Sequence, residues 1–103
     1  MHPLIVSKRG EIATVCSRHH VQRLELFGSA NDEAKFNIVS SHVDFLVEIA
    51  PLLAGGYFDH FFGLQEDLGA LLGRPVDMVV ERAIHNPYFR QSVQKSRQLL
   101  FST

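Results

Sequence analysis

Apolar and polar positions along the chain follow two rhythms, a helical period near 3.6 residues and a strand period of two. The clearest helical stretch is 57–72, where Tyr57, Phe61, Leu64, Leu68 and Leu71 recur at spacings of four, three, four and three. Its aromatics Tyr57, Phe58, Phe61 and Phe62 are expected in the core. Ile12, Val15, Cys16 and His19 fall at i, i+3, i+4 and i+7, which predicts a helix over 7–18 capped by Ser7 and weakened in its first turn by Gly10, with 1–6 as a short lead. His19 and His20 close it; neighbours on a helix point about 100° apart, so the pair reads as helix-end residues suited to the negative terminus rather than as metal ligands. Asn86-Pro87 supplies an N-cap and first turn for a last helix reaching about residue 101, with Phe89, Val93 and Leu100 inward and Arg90, Lys95 and Arg97 as a solvated face.

The period of two appears three times. Residues 21–27 put Leu24 and Leu26 on one face, 42–49 put Val43, Phe45, Val47 and Ile49 on one face, and 76–80 are short and β-branched. Gly28-Ser29, Pro51, Ala54-Gly55-Gly56, Gly73 and Pro75 punctuate these runs. Residues 30–35 read as a short helix or turn, and 36–41 and 81–85 as loops. The order helix, strand, turn, strand, helix, strand, helix predicts an α/β fold, a small mixed sheet of three to four strands flanked by helices.

Within the second strand, His42 and Asp44 share a face, and Val43, Phe45, Val47 and Ile49 share the other. Asp77 interrupts the third strand in the same manner. A carboxylate in an apolar strand is costly unless it is paired, hydrogen-bonded or bound to a cation. If the two strands are neighbours, Asp44 and Asp77 converge beside the Gly28-Ser29 turn. Two carboxylates next to turn amides suit Mg²⁺ and a triphosphate, with Gly28 allowing close approach and Ser29 offering a hydroxyl. On residue types alone, an equally good reading makes both aspartates solvent-edge strand ends.

Composition narrows the classes. With 103 residues and 46% hydrophobic content, one domain is expected to bury its own core. The formal net charge of −1 carries no strong nucleic-acid signal. A lone cysteine, Cys16, allows no internal disulfide and fits a reducing compartment. The start MHPLIVSKRG lacks a secretory apolar run, and no stretch approaches the ~20 residues of a membrane span, so a cytoplasmic, membrane-free protein is expected.

Leu-Phe-Gly-Ser-Ala, then S-x-V-D-F-L-V-E, then G-R-P-V-D, in this order and spacing, resembles the signature of the minimal nucleotidyltransferases of the DNA polymerase beta type. The resemblance spans about residues 11–101. It implies that Gly28 and Ser29 hold nucleotide phosphates and that Asp44 and Asp77 bind metal. It implies Mg²⁺, or Mn²⁺ in its place, as cofactor, and ATP as the donor of AMP to a protein hydroxyl. Small members of this family are similar to antitoxins that adenylylate a helical HEPN-type partner, so such a partner is expected, and a homo-oligomer stays open.

The chain departs from the family pattern at one ligand. His42 stands where the first aspartate of the D-x-D pair is expected, and the preceding loop is a residue longer than usual, with Ile38 near the site of a usual proline. An imidazole removes one negative charge and prefers softer metals than Mg²⁺. Three readings of His42 follow: a degenerate site that keeps the fold, a shifted site for Mn²⁺ or Zn²⁺, or substitution by another carboxylate. For the last, Asp32, Glu33 and Glu48 are the candidates, with Glu48 four strand residues, roughly 13 Å, from His42. The function is therefore either adenylyl transfer or partner binding by a catalytically degenerate antitoxin or adaptor.

Overall fold

The computed structural model describes residues 2–28, 42–51 and 55–103. Two helices open it: α1 (Pro3–Ser7) and α2 (Arg9–Arg18). Strands β1 (Val21–Phe27) and β2 (Val43–Ile49) follow, then α3 (Tyr57–Leu72), β3 (Val76–Val79), a 3₁₀ turn over Glu81–Ala83, α4 (Pro87–Ser96) and β4 (Gln98–Ser102). The sheet order is β3-β2-β1-β4. β1 is antiparallel to both β2 and β4, and β2 is parallel to β3, the α3 connection making that direction possible. The expected mixed sheet is thus present, with four strands.

The lead and first helix differ from expectation. Residues 3–7 are helical, because Pro3 sits in the first turn and the His2 side chain accepts from Leu4 N–H. Ser7 caps nothing; its hydroxyl donates back to the Leu4 carbonyl, and Lys8 precedes α2. The last helix is also shorter than expected. It ends at Ser96, and the chain then extends as β4 along β1, so Leu100 faces the core from a strand. The predicted N-cap of α4 holds, with Asn86 Oδ1 accepting from Tyr88 and Phe89 N–H. The predicted C-terminal glycine of α3 holds too, Gly73 taking φ +67°. The expected elements over 30–35 and 36–41, and Ala54 of the glycine break, lie outside the described residues.

Each sheet face has its own apolar cluster. On one, Leu24, Leu26, Val43, Phe45, Val47, Ile49 and Val76 meet Ile12 and Cys16 of α2 and Leu64, Leu68 and Leu72 of α3. A register shift between Val21 and Arg23 brings Val21 to this same face despite its odd spacing from Leu24. Burial pushes the Cys16 thiol up to about 12, so it remains an inert apolar neighbour. On the other face Phe27, Leu46, Ile84 and Val93 form a smaller cluster under α4. Two expectations about packing fail here. Phe58 and Phe62 are exposed on α3, because a helix of this length has only one stripe facing the sheet. Phe89 stays 39% exposed, touching Phe27 ring to ring at 6.0 Å rather than entering the core.

Candidate nucleotide and metal site

The second face also carries the polar residues singled out above. In the parallel β2–β3 ladder Asp44 pairs with Asp77, so one register brings both carboxyl groups to one point. In the antiparallel β1–β2 ladder Phe27 pairs with Asp44, which sets Gly28 at the same end of the sheet. Gly28 has φ +77°, and a Cβ there would lie 2.6 Å from Asp44 Oδ2. Glycine is therefore required twice over, by backbone conformation and by the approach of the carboxylate. Ser29 lies outside the described residues, as do Asp32 and Glu33. Glu48 is exposed further along β2, and nothing brings it to Asp44.

His42, just before β2, has Nδ1 2.9 Å from Asp77 Oδ2. Facing a carboxylate, this nitrogen is the donor. The expected sharing of a face by His42 and Asp44 is thereby realised, with Asp77 between them in the hydrogen-bond chain. The Asp44 carboxyl is pushed up to about 6, first by burial, then by the negative Asp77 beside it, with His42 partly offsetting and a hydrogen bond to Asp77 adding to the rise. Two carboxyl groups that repel each other in this way have the character of a cation site. Two carboxylates fit a single Mg²⁺ whose other positions go to phosphate oxygens and water. Among the described residues no three His, Cys, Asp or Glu side chains are grouped to hold a metal. The described donors, Asp44 and Asp77, could hold one hard cation.

Sequence reasoning missed three neighbours of this site. Ser96, from the end of α4, accepts the Gly28 N–H at 3.0 Å, so the turn amide meets a hydroxyl from a distant element. Glu25 is the one buried charged residue among those described, and it points to this face from β1. Arg97 bridges it to Glu81, with Nε at 2.9 Å from Glu25 Oε2 and Nη2 at 2.7 Å from Glu81 Oε1, and Nη2 also contacts Glu25 Oε2. Arg97 is thus no solvated helix residue: the helix ends one position earlier and turns its side chain onto the sheet. Its own pKa is raised by the two carboxylates, and it holds the Glu81 carboxyl below the usual range. Arg90 and Lys95 are exposed, as expected. Glu25 in β1 is a charge that demands a partner, and Arg23 two residues before it, 2.9 Å from Glu25 Oε1, supplies a local one; nothing in the sequence pointed to Arg97 as the second. Further along the same face a cavity of about 410 Å³ is lined by Glu25, Leu46, Glu48, Glu81, Arg82 and Arg90 among others.

No family model matches the chain. It is 34% identical over 80 residues to a candidate protein adenylyltransferase of Methanocaldococcus jannaschii, covering 76% of this chain and 74% of that protein. The chain belongs to the minimal nucleotidyltransferase family. A solved candidate minimal nucleotidyltransferase superposes with a TM-score of 0.70 at 28% identity, over 91% of this chain and 90% of that one. The Shewanella oneidensis complex of a tri-AMPylated HEPN toxin with its MNT antitoxin contains a chain with the same fold, at TM-score 0.61 and 22% identity, over 95% of this chain and 72% of that one. Among the described residues no helix is long and apolar enough to cross a membrane.

Proposed function

We propose that this minimal nucleotidyltransferase transfers AMP from ATP to a hydroxyl group of a protein partner, a HEPN-type helical protein being the first candidate. The observation that carries the reading is the register of Asp44 opposite Asp77, with Gly28 closed against the Asp44 carboxylate. In the reaction the acceptor oxygen forms a bond to the α-phosphorus, the α–β phosphoanhydride bond breaks, pyrophosphate leaves, and the hydroxyl proton passes to a base. Asp44 and Asp77 would hold the divalent cation, which when bound supplies charge neutralisation for the phosphates. Gly28, with Ser29 after it, would present the phosphate-holding turn; the Gly28 amide must then exchange the Ser96 hydroxyl for a phosphate oxygen. His42 keeps Asp77 oriented through its Nδ1–H. The adjoining cavity of about 410 Å³ offers room for an acceptor side chain on the same face. The protein named as an adenylyltransferase among its relatives, and the AMPylated toxin bound by a chain of like fold, support the same chemistry.

One observation favours a second reading, a partner-binding antitoxin without chemistry. His42 stands where the family resemblance expects the first aspartate of the pair, and its Nδ1 is engaged with Asp77. Incubation of the chain with labelled ATP, Mg²⁺ or Mn²⁺, and a HEPN-type partner separates the two. Label transfer that vanishes in Asp44→Ala is the expected result. A tight complex with no transfer under either metal overturns the enzyme reading. His42→Asp is expected to raise the rate at least about tenfold, the equivalent of roughly 1.4 kcal/mol at the barrier.

A further inference from the structure

Phe89, Ser92 and Ser96 fall at i, i+3 and i+7 of α4, so they follow one another along a single face of the helix. Contacts with the end of β1 fix both ends of that face. Ser96 Oγ accepts the Gly28 N–H at 3.0 Å. The Phe89 and Phe27 rings meet edge to face, centroids 6.0 Å apart and planes at 72°. Phe27 is in turn the ladder partner of Asp44, and residues directly opposite in a ladder hold their Cβ atoms about 5 Å apart on one face of the sheet. This face of α4 therefore forms a wall of the site that Asp44, Asp77 and Gly28 define.

Phe89 stands out along the wall. The apolar cluster beneath it is nearly closed, with Phe27 6% and Val93 2% exposed, yet Phe89 itself stays 39% exposed. Its ring gives one side to Phe27 and leaves the rest open. An open aromatic ring beside a phosphate-holding turn matches the chemistry of a nucleobase, whose own π face stacks on such rings. The spacing agrees. Seven helical residues rise roughly 10 Å, so Ser96 and Phe89 stand about as far apart as the terminal phosphates and the base of an extended nucleoside triphosphate.

We propose that Phe89 is the platform on which the base of ATP stacks, with the phosphates at the Gly28 turn and the nucleotide lying along the Phe89–Ser92–Ser96 face of α4. The inference rests on ATP being the donor, and adds the residue that holds its base. Stacking uses the π face that every base has, so this contact tolerates guanine in place of adenine.

The test is calorimetric titration of the chain, in Mg²⁺, with two probes: ATP and inorganic tripolyphosphate. Wild type is expected to bind ATP the more tightly. Phe89→Ala, at a half-exposed position, is expected to keep the fold by circular dichroism, to lose about ten- to a hundredfold in ATP affinity and to keep its affinity for tripolyphosphate. Phe89→Trp should retain ATP binding, whereas Phe89→Leu, apolar but without a π face, should not. Phe62→Ala, which removes an exposed ring of α3 on the opposite side of the sheet, should change neither affinity. ATP affinity unchanged in Phe89→Ala, or retained in full by Phe89→Leu, would overturn the platform and leave the proposed function standing. A wild-type chain that bound neither probe would overturn that function and the platform with it.

Discussion

Strand β2 serves two different interiors, and comparing its faces shows how this fold divides labour. Val43, Phe45, Val47 and Ile49 point toward α2 and α3 and are all nearly or wholly buried among apolar neighbours. Asp44, Leu46 and Glu48 point the other way, and of these only Leu46 belongs to an apolar cluster. The first face is held by burial of apolar area, which is non-directional and tolerant of small changes. The second is held by directed contacts: Glu25 to Arg97 to Glu81, Gly28 to Ser96, His42 to Asp77. Stability is concentrated on one side and charged groups available for chemistry on the other. The same alternation of side chains produces both.

The largest effect should come from the apolar side. Phe45→Ala removes a fully buried ring and is expected to cost about 3–5 kcal/mol in urea denaturation. Next comes the charged side: Arg97→Ala leaves buried Glu25 with Arg23 as its remaining cation and should cost about 2 kcal/mol. If Arg97→Ala proved neutral, the second face would not depend on its ion network and the contrast would collapse. Gly28→Ala should cost about 1–3 kcal/mol through its positive φ and the clash with Asp44, and should weaken ATP binding more than Phe45→Val does.

The smallest effect is the most diagnostic. Asp44 has a folded pKa of about 6 against an ordinary value of 3.8. The folded protein therefore binds more protons than the unfolded chain between those values, and this group's contribution to stability is lost as pH rises through about 6. Asp44→Asn should be indistinguishable from wild type below about pH 4. Above pH 6 it should be more stable, by on the order of 1 kcal/mol once solvent screening of the half-exposed pair is allowed for. Mg²⁺ with ATP should shrink that difference. Asp67 and Glu81 act in the opposite sense: their lowered pKa values give stability that is present at neutral pH and lost on acidification.

Local rules made much of this legible. Alternation in 42–49 correctly separated Asp44 from Phe45, and the Asn86-Pro87 and Gly73 signals marked helix ends because capping chemistry is confined to a few neighbouring residues. The same rules failed where a residue's partner is remote. Ser7 has the right side chain for a cap, but the chain was already helical before it. Residues 97–101 continue a helical spacing, yet 98–102 pair with β1, a strand some seventy residues earlier in the chain, and extend. His19 and His20 diverge on their own helix, and only α3 brings His60 to meet them.

From order and spacing alone came β1, β2, α3, β3 and the cores of α2 and α4, the face Asp44 takes, and the family that Leu-Phe-Gly-Ser-Ala and G-R-P-V-D indicate, because these depend on backbone periodicity and on contiguous residues. The tertiary structure alone decided that Asp44 stands opposite Asp77, that Ser96 occupies the Gly28 amide, that Arg97 neutralises Glu25, and that two helices share a histidine pair. Register and inter-element contact are set by the packing of the whole core. No window of sequence contains both partners of such a contact, and so no local pattern can state it.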